Sequence, residues 1–114
     1  MWVAGTRPPE KAIRTILAAG LPVGTTDRIV EDSTPESARL YRDATGPRVL
    51  PGRRGHVHTS ADRELSPAVQ AASAARPDAT WSRTLATGHL PMLEAPAALA
   101  DAIGGFLTAT PARP

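Results

Sequence analysis

The sequence predicts an α/β fold whose C-terminal part, residues 55–107, is a βαβα unit with parallel strands. Two stretches predict short strands, "GHVHTS" at 55–60 and "ATWSRTLAT" at 79–87, and a helical pattern follows each of them. Strands that alternate with helices are typical of a parallel sheet with right-handed crossovers. Residues 1–54 predict a poorly defined segment of short helices and loops before this unit, and residues 108–114 predict a disordered tail.

The N-terminal half predicts two short helices with turn residues between them. The stretch "RPPEKAIRTILAAG" begins with prolines, carries an apolar face, and ends at Gly20, a typical C-cap residue. In "LPVGTTDRIVEDST", which is rich in turn residues, Ile29 and Val30 favour a brief extended piece. "TPESARLYRDAT" predicts a second helix with Thr34 as N-cap and Pro35 at the first helical position. No catalytic motif occurs in this half.

The elements of the C-terminal half have clearer boundaries. Ser66 caps the helix after the first strand, and Pro67 begins it. The second strand places Trp81, Arg83 and Leu85 on one face. The last helix, residues 95–107, has an apolar stripe for core packing, formed by Leu99, Ala102, Ile103 and Phe106.

Composition excludes several classes of protein. The chain of 114 residues has no cysteine, which excludes disulfides and thiolate metal sites, and only 4% of its residues are aromatic. It has no apolar run of about 18 residues and no signal-peptide pattern near its start, so we expect a cytoplasmic protein without membrane contact. The net charge of +2 is too small to indicate nucleic-acid binding. With few large apolar side chains, we expect marginal stability.

Two titratable side chains follow the ends of the two predicted strands. Asp62 comes just after the first strand, and His89 lies between Gly88 and the dipeptide Leu90-Pro91, just after the second. The carboxyl ends of parallel strands meet at one edge of a sheet, where ligands bind. A carboxylate there could accept a hydrogen bond from the imidazole Nδ1–H and orient His89 as a general base. The alternatives are an Asx turn at Asp62 and a helix-capping role for His89.

The segments around both residues resemble the C-terminal end of an α/β-hydrolase. The sequence is most similar to the esterase group that includes plant methylesterases and hydroxynitrile lyases. The segment that bears the triad acid in that group is matched by Thr59, Asp62, Pro67 and Gln70. The segment that bears the triad histidine is matched by Gly88, His89, Pro91, Met92, Leu93, Pro96 and Leu99. The resemblance implies a carboxylic-ester hydrolase without a cofactor, with Asp62 as the orienting acid and His89 as the base.

The nucleophile of that family has no counterpart in this chain. The family carries it on a G-x-S-x-G turn before the acid, and no such pentapeptide occurs here. The serines that precede Asp62 lack the flanking glycines; they are Ser33, Ser37 and Ser60. We therefore expect a hydrolase fragment that is inactive or very weak alone, with residues 1–54 as a remnant of the family's cap region. Its expected partners are a small-molecule ester, a second copy, or a complementary hydrolase fragment.

Three other features suggest different functions. His56 and His58 lie on one strand face and could begin a metal site, but we expect Val57 and Thr59 to face inward and both histidines to be exposed. The basic connector contains Arg48, Arg53 and Arg54, and lacks the aromatic residues that stack on nucleic-acid bases. An isolated two-stranded sheet exposes both edges, so a non-catalytic interaction module is the alternative to an esterase.

Overall fold

The computed structural model describes residues 7–109 of the chain. The termini, residues 1–6 and 110–114, lie outside the described residues, and with them most of the predicted tail. Helix α1 begins at Glu10–Ala12 and continues as a π-helical segment at Ile13–Leu17. The other elements follow in the order α2 (Val23–Asp32), α3 (Arg39–Arg42), β1 (Gly55–Thr59), α4 (Pro67–Ala75), β2 (Trp81–Leu85), α5 (Pro91–Glu94) and α6 (Pro96–Thr108).

The described chain has a small parallel sheet, and the α/β class is confirmed at that coarse level. Strands β1 and β2 pair in parallel, with Gly55 opposite Trp81 and Thr59 opposite Leu85. Helix α6 packs on the face that carries Trp81, whose ring lies 5.6 Å from the ring of Phe106. Helix α4 connects the two strands, as predicted, and contacts β1.

Most of the segment 21–34 forms helix α2, Val23–Asp32, so the prediction of turns and an extended piece there is wrong. Ile29 and Val30 lie inside α2, which begins after Pro22. Thr26 is buried, and its hydroxyl donates to the Pro22 carbonyl, so the hydroxyl has a hydrogen-bond partner within the helix. The turn-forming residues lie in the first turns of the helix, where they weaken it least. Their presence is why the sequence pattern indicates turns and not a helix.

The two other N-terminal predictions are partly correct. Helix α1 forms and is followed by Gly20 in the left-handed region, with φ of +93°. Its last turn is π-helical because the Ala18 N–H donates to the carbonyl of Ile13 over 2.7 Å. The predicted helix start at Thr34 and Pro35 is wrong, since α3 begins only at Arg39.

The start of α3 is set by a different hydroxyl. The Ser37 hydroxyl accepts a hydrogen bond from the Arg39 N–H over 3.2 Å, which favours a turn at Ser37 and delays the helix. By contrast, the predicted cap of α4 is confirmed, because the Ser66 hydroxyl accepts from the Val69 N–H over 3.2 Å.

Little apolar surface is buried in the described chain. Its buried apolar side chains are those of Ile13, Ala18, Leu85, Pro91 and Ala102. The predicted stripe of α6 is only partly correct, because Ile103 is 48% exposed whereas Ala102 is fully buried. The radius of gyration is 16.7 Å, compared with about 13 Å for a compact domain of this length.

No helix in the described part of the chain is long and apolar enough to cross a membrane.

Candidate active site

Asp62 lies in a tight turn just beyond the end of β1. Its Oδ1 accepts hydrogen bonds from the N–H groups of Glu64 and Leu65, over 2.8 and 3.0 Å. Its Oδ2 accepts from the Thr59 hydroxyl over 2.8 Å. The side chain is only 2% exposed. Asp62 therefore does form an Asx turn, and the turn leaves Oδ2 directed towards the neighbouring strand end.

The Gln70 side chain holds the end of β1 in place from helix α4. Its Oε1 accepts from the Thr59 N–H over 2.7 Å, and its Nε2 donates to the Thr59 carbonyl over 2.9 Å. The same Nε2 donates to the Leu65 carbonyl over 2.9 Å. The amide thus pairs with the outer edge of β1 as a further strand would, and it also anchors the turn that contains Asp62.

The structure brings Asp62 and His89 together at the carboxyl end of the sheet. The His89 Nδ1 lies 2.9 Å from the Asp62 Oδ2. Beyond the strands, the Ala61 N–H donates to the Thr87 carbonyl, and this bond keeps the two strand ends side by side. His89 is 27% exposed, so its ring bridges the buried carboxylate and the solvent.

The Asp62 carboxyl group is strongly acidic. Burial is the largest influence and raises its pKa, but hydrogen bonds to the ionised form outweigh burial and lower the pKa from 3.8 to about 2. These bonds, in decreasing order of effect, come from the Leu65 N–H, the His89 ring, the Thr59 hydroxyl and the Glu64 N–H. At neutral pH the carboxylate is ionised and can only accept hydrogen bonds.

The loop that carries His89 includes a short helix that the sequence pattern does not predict. Helix α5 begins at Pro91, a residue favoured at the first helical position, and ends at Glu94. The Glu94 Oε2 accepts from the Gly88 N–H over 2.8 Å. Glu94 was not predicted to contribute to the site. Glu94 lies in a helical turn that begins with a proline just after the histidine. This position is the sequence feature that could have indicated a contact between Glu94 and the loop.

The hydroxyl groups of the three serines that precede Asp62 are hydrogen-bonded to backbone groups. The Ser33 hydroxyl donates to the Ile29 carbonyl over 2.7 Å, and the Ser60 hydroxyl donates to the Leu85 carbonyl over 3.3 Å. The Ser37 hydroxyl accepts from the Arg39 N–H.

The two histidines on β1 are half-buried, and the prediction that they are exposed is wrong. His58 lines a cavity together with alanines of helix α4. The rings of His56 and His58 lie 4.5 Å apart. Burial, and secondarily the charge of His58, lower the pKa of His56. Among residues 7–109 there is no group of three or more His, Cys, Asp and Glu side chains that could hold a metal ion.

One arginine of the basic connector, Arg53, contacts the C-terminal end of a helix. The Arg53 guanidinium donates from Nη2 to the carbonyls of Phe106 and Ala109, over 2.6 and 3.2 Å. It also lies 5.0 Å from the centre of the Phe106 ring. Arg53 therefore caps the C-terminus of α6.

No protein-family model matches this sequence, and comparisons with curated proteins and with solved structures likewise find no match.

Proposed function

We propose that Asp62 and His89 are the acid and the general base of a carboxylic-ester hydrolase site of the α/β-hydrolase type, in a cytoplasmic chain. The observation that carries this proposal is the 2.9 Å contact between His89 Nδ1 and Asp62 Oδ2 at the carboxyl ends of two adjacent parallel strands. This edge of a parallel sheet is where ligands and catalytic groups gather.

The state of the imidazole follows from the chemistry of its partner. An ionised carboxylate is only an acceptor, so the proton in the short contact belongs to His89 Nδ1. The neutral ring then carries its lone pair on Nε2, which is the nitrogen that can remove a proton from water or a hydroxyl. When Nε2 takes that proton, the negative charge of Asp62 stabilises the imidazolium.

The described residues supply the acid and the base of such a site. A nucleophile and oxyanion donors would come from a complementary hydrolase fragment, and the substrate would be a small-molecule ester. Loss of a single oxyanion donor costs roughly 10²–10³-fold in rate. We therefore expect the chain alone to hydrolyse only activated esters, and slowly.

A second candidate, of a different class, is a non-catalytic module that pairs with a strand of another chain, either a second copy or a complementary fragment. It is favoured by the outer edge of β1, because the sheet in the described chain has only two strands. Gln70 forms hydrogen bonds with the backbone groups of Thr59. In the described chain, the part of this edge that precedes Thr59 has no strand beside it.

Hydrolysis of p-nitrophenyl acetate by the wild type and by His89→Ala separates the two candidates. An imidazole that acts as a general base typically contributes about 10²–10⁴-fold in a complete enzyme. In this incomplete site we expect His89→Ala to lower the rate at least about tenfold. Any histidine can attack this ester slowly, so His58→Ala, a half-buried histidine outside the site, is the matched control. Equal rates for wild type and His89→Ala would contradict the esterase proposal and leave the interaction module.

A further inference from the structure

We propose that Glu94 is a positioning residue for His89, and this inference rests on the proposed function of His89. The Glu94 carboxylate accepts a hydrogen bond from the Gly88 N–H, and through this bond it fixes the backbone next to His89. Glu94 acts through the loop and does not touch the reacting atoms.

The first support is that both peptide groups next to Gly88 are held by side chains. The Gly88 N–H donates to the Glu94 Oε2 over 2.8 Å, and the Thr87 hydroxyl donates to the Gly88 carbonyl over 3.2 Å. That carbonyl belongs to the peptide bond that leads into His89. Two opposed hydrogen bonds therefore limit rotation of the segment from which the imidazole projects.

The second support is the close packing around the same peptide. Gly88 is buried, and a Cβ atom placed on it would lie 2.8 Å from the Ala19 carbonyl oxygen. Gly20 has a φ of +93°, and a Cβ atom there would lie 3.3 Å from the Glu94 carboxylate oxygens. The turn after α1 thus packs closely against both partners of the Gly88–Glu94 hydrogen bond, which is part-buried although Glu94 itself is exposed.

The third support is the way in which Glu94 is itself held. Helix α5 begins at the buried residue Pro91, and the Glu94 N–H donates to the Leu90 carbonyl over 3.1 Å. The Ala95 N–H donates to the Pro91 carbonyl over 2.8 Å. This single turn reverses the chain, so that the Glu94 carboxylate reaches the Gly88 N–H. The hydrogen bond between them closes a loop of the chain that contains His89.

Two substitutions distinguish a role of Glu94 as a hydrogen-bond acceptor from a role through its charge. The contact needs an acceptor at the length of a glutamate side chain, and the amide oxygen of glutamine provides one at the same place. Glu94→Gln should therefore preserve the position of His89. Glu94→Asp keeps the charge but is one methylene shorter, and it should fail, as Glu94→Ala should. A role through charge predicts the reverse order for glutamine and aspartate.

The test uses the full chain labelled with ¹⁵N. The tautomer of His89 is measured by NMR of its ring nitrogens, and p-nitrophenyl acetate hydrolysis is followed as a function of pH. We expect Glu94→Ala and Glu94→Asp to lower the population of the Nδ1–H tautomer, and to lower the His89-dependent rate about tenfold because the ring is no longer held in position. Glu94→Gln should stay within about twofold of wild type. Glu31→Ala, an exposed glutamate on α2, is the control.

The outcomes separate this inference from the proposed function. An unchanged tautomer and rate in Glu94→Ala would overturn the positioning role, and so would a Glu94→Gln variant as impaired as Glu94→Ala. If Glu94→Ala does not fold, the order of glutamine and aspartate decides the same question. If wild type shows no His89-dependent hydrolysis, the esterase proposal fails, while the tautomer still reports whether Glu94 orients the ring.

Discussion

Asp62 combines burial with an unusually complete set of hydrogen-bond donors. Its two oxygens accept from two backbone N–H groups, a threonine hydroxyl and the His89 ring. Removing the carboxylate from water disfavours the charge, and these donors more than compensate. The carboxylate is therefore held ready in its ionised form, which is what a group that orients an imidazole requires.

The low pKa of Asp62 predicts an acid-sensitive contribution to stability. The pKa is about 2 in the folded chain, below the ordinary value of 3.8. A carboxyl group whose pKa is lowered on folding stabilises the folded state above its ordinary pKa, and this stabilisation is lost as the pH falls from about 4 to about 2. We expect a contribution of about 2 kcal/mol at neutral pH. Urea unfolding between pH 7 and pH 2 measures it.

The variant Asp62→Asn should lose this pH dependence. Asp101→Asn is the matched control, because the Asp101 side chain is 87% exposed and its contact with Arg83 is 4.0 Å long. An Asp62→Asn variant with the same acid-induced loss of stability as wild type would contradict the assignment.

At the scale of elements, strand β1 depends on a side chain from helix α4. Gln70 is 4% exposed, and its amide group serves two backbone groups of Thr59 and the carbonyl of Leu65. Backbone groups at a buried strand end need partners, and the connecting helix supplies one. Helix α4 therefore both links the strands and completes the outer edge of β1 near the site.

Replacing this amide should destabilise the chain. In Gln70→Leu the Thr59 N–H and two carbonyls lose their partner, and we expect the free energy of unfolding to fall by about 2–4 kcal/mol. Urea denaturation followed by circular dichroism measures this change. Ser73→Ala on the exposed side of α4 should change stability by less than about 0.5 kcal/mol. Equal effects of both substitutions would show that the amide contributes little.

At the scale of the whole molecule, few large side chains are removed from water. Only five apolar side chains among those described are buried, and two of them are alanines. Large apolar side chains such as Val69, Met92 and Ile103 are about half exposed. Because apolar burial is the main favourable term in folding, this arrangement provides a small driving force.

We expect a free energy of unfolding below about 5 kcal/mol for the monomer, at the lower limit for natural domains. Urea denaturation at two protein concentrations measures it. A midpoint that rises with concentration indicates that association covers the exposed apolar surface. A concentration-independent stability of about 10 kcal/mol would contradict the expectation.

Local sequence patterns predicted some elements and failed for others for identifiable reasons. The Ser66 cap and the alternation of two strands with two helices depend on neighbours in sequence, and the structure has them. Helix α2 was missed because its turn-forming residues lie in its first turns. Helix α5 was missed because four residues are too few for a periodic pattern. Ile103 matches the apolar stripe of α6, yet α6 covers only a narrow sheet, so part of its apolar face stays exposed.

The sequence by itself determined the α/β class, the order of β1, α4, β2 and α6 after residue 55, and the placement of Asp62 and His89 after successive strands. Only the tertiary structure decided that the two side chains meet at 2.9 Å, that Gln70 completes the edge of β1, and that Glu94 holds the Gly88 N–H. The reason is physical. Caps and strand patterns depend on a few adjacent residues, whereas these contacts depend on the register of two strands and the path of the loops between them.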